Sequence, residues 1–538
     1  MTLLRVGIAL GRTGAIGAAF LGTAIAIAQP LAYAQLAGTT AEERAIFARQ
    51  MTTLGRQFLY ILPVPSALDT MAGWLEWRAL GVFPPILAFW ALVAATGAGR
   101  GDEDRGLVEH WLAQGVSRAR YALTRLAAFA SLGVVVIATT LAAAEAGTVA
   151  AGAGVPPLSL AAQGVPLLGL TLCCFTVALL AAQLAATRRA AAGIAAAALG
   201  GLYLLNVAGR AGSAPLRDLS PFALYDRQHA LLRSGELDLG ATLALYGAGA
   251  ALASLAILAF LKRDLGAAAL ARPRAGGGAI VLPARDPLLG LPVLALLDQQ
   301  RWSIAAWSIG LSGMALFFLS FTRSVLDAML ATPGFGIYLE RAGLLTYTSF
   351  IGSVWLSTLL LLLSIYAIAQ AAGWAAEDAD GRLEIALAQP VSRARIVVER
   401  LAALVGGSAV AVFASAIAVV IGAAAADIAL DGGRLALGTA LTLAVVFAFG
   451  GLGAAGAGWR PRATVALLAA LAMASYLIEQ FAPLFGWPPW IENLSLFALY
   501  GHPLTGEVDW MRIGALFSIG MVGSLAALVA MRRRDVGR

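Results

Sequence analysis

The chain has too little charge for a water-soluble protein of its size. Only 12% of its 538 residues are charged, whereas 60% are apolar and the mean hydropathy is +0.82. A soluble fold of this length needs a polar surface around several cores, which this composition does not supply. The scarcity of charge therefore excludes a globular protein in water and predicts a chain that is solvated by lipid.

Lysine and cysteine are nearly absent as well. Lys262 is the sole lysine, and its surroundings lack the Gly-x4-Gly-Lys-Ser/Thr loop that holds nucleotide phosphates. Cys173 and Cys174 are adjacent in an apolar segment, where neither a disulfide framework nor a metal cage is expected. The three histidines are scattered without metal-ligand spacing. We therefore predict no catalytic, cofactor-binding or metal site in this chain.

The formal net charge of +7 comes almost entirely from arginine. The arginines form short clusters between apolar runs, as topogenic charges do, and they form no single patch for nucleic acid. With both termini in the cytoplasm, most of the basic residues fall on the inner side. The sequence therefore predicts a multi-pass protein of the cell membrane with both termini cytoplasmic and no nucleic-acid partner.

Runs of about 20 apolar residues, the length that crosses a bilayer core, predict an all-α protein. Twelve such runs occur, at 9–29, 80–99, 121–145, 164–186, 190–210, 239–261, 302–322, 345–370, 396–424, 435–458, 463–481 and 511–531. The first run has a competing interpretation as a signal peptide, because Arg5 and Arg12 precede it and Ala32–Ala34 resembles a cleavage site. Cleavage would leave an odd number of helices, so we favour twelve spans.

The sequence repeats itself with an offset of 275 residues. Residues 102–128 and 377–403 align without a gap and are identical at 14 of 27 positions, including Arg125 and Arg400. The repeat predicts two six-helix halves, 1–266 and 301–538, joined by a cytoplasmic linker at 267–300. Since each half crosses the membrane an even number of times, the halves are expected to be parallel and pseudo-symmetric.

The strongest part of the repeat lies between the second and third spans of each half. Apolar residues of the first copy recur there at helical spacing, at Leu107, Val108, Trp111, Leu112 and Val116. This spacing predicts a short amphipathic helix. The helix is expected to end at Gly115 in one copy and Pro390 in the other, before Ser117 or Ser392 caps the next span. Such a helix is also typical of a segment lying at lipid headgroups, but headgroup contact does not require matched polar residues in both halves.

This segment resembles the E-x-G-x-L-E-x-L-L-x-x-P-x-S-R element of type-two ABC transporter permeases. The second copy carries the element across Glu377–Arg393. The first copy, Asp102–Arg120, matches more loosely and has Gly115 in place of Pro390. The fused twelve-helix form is similar to permeases of polyketide-antibiotic exporters, including the tetronasin type.

In that family the element forms a coupling helix that meets the ATP-binding subunit. The resemblance therefore implies a separate P-loop ATPase, in two copies, which binds the ATP and Mg that this chain does not. It implies coupling roles in the first copy for Asp102, Glu103, Glu109, Trp111, Gln114, Ser117, Arg118 and Arg120. In the second copy it implies them for Glu377, Asp378, Arg382, Glu384, Gln389, Pro390, Ser392, Arg393 and Arg395.

A second set of candidates lies toward the opposite side of the membrane. The family has a segment before each sixth helix that dips into the membrane from outside and closes the exit. The candidate pathway or gate residues are Asn206, Phe222, Tyr225, Glu479, Phe497 and Tyr500. Helix packing and interfacial anchoring are the alternative roles for them.

Spans rich in Ala, Gly, Leu and Val favour a hydrophobic or amphipathic solute, such as an antibiotic, drug or lipid, over a sugar or ion. An ion-coupled secondary carrier is the main alternative, because two parallel six-helix halves and the acidic-basic loop Asp102–Gly106 also suit that class. A membrane enzyme acting on lipids through an outer acid such as Asp69 or Glu76 is a second alternative. The repeated amphipathic helix favours an exporter permease over both.

Overall fold

The computed structural model is helical, and the residues it describes contain no strand. It describes residues 2–55, 62–210, 216–232, 235, 237–268, 291–330, 339–340, 344–379, 382–388, 390–485 and 487–533. The chain divides into two compact units, Met1–Gly277 and Gly278–Arg538. The division falls within the stretch for which the sequence predicts a linker.

Unit 1 contains eleven α-helices among its described residues. They are α1 (Thr2–Leu36), α2 (Ala41–Gly55), α3 (Met71–Trp74), α4 (Phe83–Thr96), α5 (Asp102–Asp104), α6 (Leu107–Ala113), α7 (Arg118–Ala150), α8 (Pro157–Leu184), α9 (Arg188–Arg210), α10 (Pro221–Asp226) and α11 (Leu239–Lys262). Two π-helical segments, Leu75–Leu80 and Gly97–Gly101, connect α3, α4 and α5 into one column, and a 3₁₀ turn spans Arg217–Leu219.

Unit 2 repeats this order with small additions. Its described helices are α12 (Pro292–Gln299), α13 (Arg301–Leu330), α14 (Tyr347–Ile351), α15 (Ser357–Ala379), α16 (Arg382–Leu387), α17 (Arg393–Ala425), α18 (Gly432–Trp459), α19 (Pro461–Phe485), α20 (Pro489–Glu492), α21 (Leu496–Tyr500) and α22 (Trp510–Arg533). A π-helical segment, Gly352–Leu356, joins α14 to α15.

Twelve helices of the described residues are long and apolar enough to cross a membrane, which confirms the all-α polytopic fold. The predicted bounds are too narrow for the second span, which runs over Met71–Asp104 instead of 80–99. A hydropathy window misses its first turns because they contain Glu76 and Arg78. These turns stay helical because Trp74 and Trp77 are buried, with the guanidinium of Arg78 over both rings.

The first span is also longer than predicted. Helix α1 continues through Ala32–Ala34, where the sequence suggested a cleavage site. Tyr33 in that stretch is buried, and its ring lies 5.7 Å from that of Trp74. The residues of the suggested cleavage site are therefore part of the helical packing of unit 1.

The two units use the same internal packing. In unit 1, α1 packs along α7, α4 along α8, and α8 along α9 and α11. In unit 2, α13 packs along α17, α15 along α18, and α18 along α19 and α22. Glycines allow the closest of these contacts: a Cβ on Gly451 would lie 2.2 Å from the main-chain oxygen of Gly520. The sequence repeat is thus a repeat of packing within each unit.

Candidate functional site

Helix α6 is the short amphipathic helix that the spacing predicts. Its inner face is anchored by Val108, which is buried against Tyr121 of α7 and Phe260 of α11. Trp111 packs half-buried against the same cluster. The outer face is solvent-exposed and carries Glu109, His110 and Gln114. The helix therefore lies on the ends of two spans and presents a polar surface away from them.

Helix α16 is its counterpart in unit 2. Leu383 is buried in the apolar core, whereas Glu384 and Ile385 are exposed. Gln389 lies outside the described residues, and the side chains of Asp378 and Arg382 are likewise not described. The exposed acid Glu384 lies 275 positions after Glu109, so an outward carboxylate is repeated in both units.

Both short helices end at the breaks that the sequence predicts. Gly115 adopts a φ of +83°, a conformation that favours glycine, and Pro390 lies in a bend. The next span then begins with a serine cap in each unit. Ser117 Oγ accepts a hydrogen bond from Arg120 N at 3.3 Å, and Ser392 Oγ accepts one from Arg395 N at 3.2 Å.

A repeated arginine ties the start of the third span to the end of the sixth. Arg118 Nη1 donates to the main-chain oxygen of Arg263 at 2.7 Å, just after α11. Arg393 Nη1 donates to the main-chain oxygen of Met531 at 2.5 Å, within the last turn of α22. A cation at a helix C-terminus satisfies free carbonyls and the helix dipole. Each short helix is therefore followed by a clamp between two spans.

A repeated ion pair ties the second span to the third. Asp102 Oδ2 lies 2.9 Å from Arg125 Nε and accepts a hydrogen bond from the Tyr121 hydroxyl at 2.8 Å. Glu377 pairs with Arg400 at the equivalent positions of unit 2. The pair in each unit joins residues 23 positions apart, on either side of the short helix. Displacement of the short helix is therefore resisted at both of its ends.

Unit 1 adds a buried charge cluster of Arg100, Glu103 and Arg263. Glu103 Oε2 lies 3.0 Å from Arg100 Nη1 and 2.9 Å from Arg263 Nη1. Gln183 Oε1 accepts from Arg263 Nε at 2.8 Å, and Arg100 Nε donates to the main-chain oxygen of Ala182 at 2.9 Å. The cluster joins the second, fourth and sixth spans just behind α6.

The predicted coupling residues thus divide into two groups. Asp102 and Glu103 are buried in internal ion pairs, so any coupling role would act through the position of α6. The exposed members are Glu109, Gln114, Ser117 and Arg120 in unit 1, and Glu384, Pro390, Ser392 and Arg395 in unit 2. Arg125 and Arg400 were not among the predicted coupling residues, although their identity in the repeat indicated a shared role.

The predicted gate residues of unit 1 lie at the C-terminal end of α9 and in α10, which follows it. Asn206 is fully buried and donates to Asp226 Oδ2 at 2.9 Å, and Arg210 Nε lies 2.7 Å from the same oxygen. Phe222 and Tyr225 of α10 are buried beneath this pair. Burial raises the pKa of Tyr225. Helix α10 is therefore held against α9 by the contacts of Asp226 with Asn206 and Arg210. The sequence did not predict these contacts, because Asp226 is outside the repeated motif.

The gate residues of unit 2 are arranged differently. Glu479 Oε1 accepts a hydrogen bond from Ser357 Oγ at 2.6 Å, while Glu479 Oε2 is buried with no hydrogen-bond partner among the residues that the structure describes. Phe497 and Tyr500 of α21 are buried, and the Tyr500 hydroxyl donates to the main-chain oxygen of Gly438 at 2.9 Å. Burial also raises the pKa of Tyr500. Helices α10 and α21 share a position, but their polar supports differ.

A histidine beside α10 adds a titratable contact. His229 Nδ1 lies 2.7 Å from Glu76 Oε1, near the Met71 end of the second span. The hydrogen bond that Glu76 accepts from His229 raises the pKa of His229 above its usual value, and burial opposes that rise. The contact joins the segment after α10 to the π-helical turns of the second span.

Comparison with known proteins agrees with this fold. Residues 289–532 match the family described as "Multidrug efflux system permease Rv1217c, C-terminal domain". Over 503 residues the chain is 29% identical to "Multidrug efflux system permease protein Rv1217c" of Mycobacterium tuberculosis (strain ATCC 25618 / H37Rv), covering 88% of this chain and 84% of that protein. The resemblance to a permease is confirmed, while the closer likeness to tetronasin-type exporters stays a prediction. The chain is therefore a multi-pass membrane protein that resembles a multidrug efflux permease, and its residues 289–532 match the Rv1217c C-terminal-domain family.

Proposed function

We propose that this chain is the permease subunit of an ATP-driven exporter whose ATPase is a separate polypeptide. The substrates would be hydrophobic or amphipathic solutes, such as drugs, antibiotics or lipids, that leave the cytoplasm or the inner leaflet. The similar protein from M. tuberculosis is named a multidrug efflux permease, which supports this substrate class. The proposal places the chain in the cytoplasmic membrane with both termini inside and two ATP-binding copies per permease.

The observation that carries the proposal is the repeated pair of short helices, α6 and α16. Each presents an exposed carboxylate, Glu109 or Glu384, on a helix whose ends are fixed to the spans. A loosely attached headgroup helix would need only apolar burial and positive charge. The clamps formed by Arg118 and Arg393 instead connect each short helix to the third and sixth spans of its unit. A push on α6 or α16 would thus be transmitted to those spans as a rigid displacement.

The proposal needs a separate ATPase because the sequence has no P-loop of its own. A P-loop needs a lysine after its second glycine, and Lys262 has no such context. ATP and Mg would be bound by the partner subunit, whose docking surface would contact the outer faces of α6 and α16. Charge reversal at a docking surface introduces like-charge or unpaired contacts that cost several kcal/mol or more.

Co-purification tests the proposal directly. The double variant Glu109→Arg with Glu384→Arg is expected to lose the ATPase subunit and ATP-driven export while keeping its membrane level. The control variant Glu42→Arg with Glu507→Arg reverses two exposed acids, one per unit, outside the short helices, and is expected to keep both. Normal assembly and export in the first variant would overturn the coupling role.

An ion-coupled carrier is the second candidate, and Glu479 is the observation that favours it. An ionisable side chain buried inside a span is rare and often marks a proton or ion pathway, and Glu479 Oε2 has no hydrogen-bond partner among the described residues. If this candidate is correct, Glu479→Gln abolishes transport, and transport persists in vesicles without ATP as long as a proton gradient is present. The exporter proposal expects transport to stop when ATP is removed.

A further inference from the structure

A cavity of about 220 Å³ opens beside α1 in unit 1, next to the end that carries α6. Its deeper part is apolar and includes Trp90, Phe129 and Leu132. Its outer part is lined by three arginines, Arg105, Arg125 and Arg188. One end of the cavity therefore suits hydrocarbon and the other suits an anion.

The positive charge at the outer end is only partly neutralised. Asp102 pairs with both Arg105 and Arg125, at 2.8 and 2.9 Å, so one carboxylate serves two guanidinium groups. The guanidinium of Arg188 has no hydrogen bond or ion pair to any residue that the structure describes. Its Nη2 atom approaches Gly97, where an added Cβ would lie 3.7 Å from it. Arg188 is thus an exposed arginine at the cavity mouth whose donors are not used by any residue that the structure describes.

The position of the cavity agrees with a membrane surface. Gly7 near the start of α1, Gly97 near the end of the second span and Arg188 at the start of α9 lie at the same ends of their spans. Trp90 lies seven residues before Gly97, which is about 10 Å deeper along a helix. Arg105 and Arg188 are therefore at headgroup depth, and the aromatic residues are at the depth of acyl chains.

The cavity opens sideways toward lipid. Leu10 of α1 and Val93 of α4 belong to its lining and are nevertheless 42% and 41% exposed. Gly7, Gly11 and Gly14 of α1 also line the cavity, where added Cβ atoms would lie 2.9, 2.6 and 3.1 Å from Ala128, Leu132 and Trp90, so α1 packs closely on the far wall at these points. A lipid could enter from the bilayer so that its acyl chain packs against α1 and its headgroup contacts Arg188.

We infer that this cavity binds an anionic phospholipid of the adjacent leaflet, with the phosphate at Arg188 and one acyl chain against the exposed apolar lining formed by Leu10 and Val93. Guanidinium groups bind phosphate through paired N–H donors. A zwitterionic lipid carries a cation that three arginines would repel, so charge complementarity selects an anionic headgroup. The inference does not depend on the proposed ATPase partner, and it adds lipid regulation of unit 1 to the function.

The bound phosphate would act on the neighbouring charge network. Arg105 and Arg125 both hold Asp102, which fixes the segment that leads into α6. An anion at the cavity mouth would compensate the extra guanidinium charge there. A bound lipid is therefore expected to stabilise unit 1 as well as to occupy it.

Native mass spectrometry of the full chain in detergent tests the site. Phosphatidylglycerol is expected to bind more tightly than phosphatidylcholine, and Arg188→Gln is expected to weaken its binding about fivefold. The matched control is Arg189→Gln, which removes the neighbouring exposed arginine outside the cavity lining and should leave binding unchanged. Gly97→Leu, which fills the cavity without removing charge, is expected to abolish the phosphatidylglycerol adduct.

Three outcomes would overturn the inference. Equal binding of the two lipids would show that the arginines do not select charge. An equal loss in Arg188→Gln and Arg189→Gln would show that only general surface charge matters. Displacement of the lipid by millimolar inorganic phosphate would indicate a free-anion site instead of a lipid site. Unchanged thermal unfolding of the variants without lipid establishes that each has folded.

Discussion

Neutralising Glu103 is expected to loosen unit 1 more than any exposed charge change. Glu103 is the only carboxylate in the cluster with Arg100 and Arg263, and the exposed fractions of the three side chains are 3%, 1% and 3%. In Glu103→Gln, two buried guanidinium groups lose their counter-charge. Removing one partner of a buried ion pair costs about 3–5 kcal/mol. For a unit of this size, that cost corresponds to a fall in Tm of about 6 °C or more.

The chain supplies its own reporter for this measurement. Cys173 and Cys174 are both buried in α8, the helix whose Gln183 contacts the cluster. A thiol-reactive fluorogenic maleimide therefore reports the thermal opening of unit 1 in detergent. Glu109→Gln is the control, because Glu109 is exposed and such changes alter stability by about 0.5 kcal/mol or less. If Glu103→Gln and Glu109→Gln have the same Tm, the charge cluster does not stabilise the segment behind α6.

Three further variants probe the pH-dependent contact, the break after α6 and the support of α21. Because the pKa of His229 is raised, its pair with Glu76 contributes stability that is complete below about pH 6.5 and is lost as the pH rises through the raised value. The Tm advantage of the parent over His229→Gln is therefore expected to shrink as the pH rises above about 6.5. Gly115→Ala places an alanine in the left-handed backbone conformation and should lower the free energy of unfolding by about 1–2 kcal/mol. Gly193→Ala in α9 places its Cβ in open space and should not destabilise the protein. Tyr500→Phe removes one buried hydrogen bond and should cost about 1 kcal/mol, measured by tryptophan fluorescence during heating.

Each of these expectations has a contradicting result. A constant difference between the parent and the His229 variant across that pH range would mean that the imidazole charge is not used. Equal Tm values for Gly115→Ala and Gly193→Ala would mean that the break after α6 is not a rigid turn. An unchanged melting profile for Tyr500→Phe would mean that the Gly438 carbonyl, left without the Tyr500 hydroxyl, finds an equivalent donor.

Hydropathy and repetition were sufficient to predict the spans and the short amphipathic helix. The spans are long, and their apolar character is set by residues that are local in sequence. The predicted bounds of the spans were wrong where tertiary contacts extend a helix past its apolar centre. Buried Trp74 and Trp77 make such contacts in the turns around Glu76. The π-helical segment Gly97–Gly101 could not be foreseen either, since its glycines accept the close approach of Arg188 from a different span.

The buried charges show where sequence reasoning fails. Glu103 and Asp102 belong to a motif typical of a protein contact, and a sequence pattern gives no reason to expect them to be enclosed. Their enclosure depends on Arg263, 160 residues further on, and on Arg125, which lies across the short helix. Pairing at this distance in the chain is decided by the packing of α11 on α8. The identity of Arg125 and Arg400 in the repeat indicated that Arg125 is important, but it did not predict which carboxylate Arg125 pairs with.

Cross-linking from the outer face of the short helices tests the central claim most directly. Both native cysteines are buried, so Glu109→Cys and Glu384→Cys each introduce an exposed thiol into a chain with little background reactivity. We expect each thiol to react with a maleimide supplied from the cytoplasmic side and to cross-link to a P-loop ATPase subunit, whereas Glu507→Cys does neither. Labelling of Glu109→Cys and Glu384→Cys from the outside, or transport-competent membranes in which neither position cross-links to an ATPase, would contradict the account.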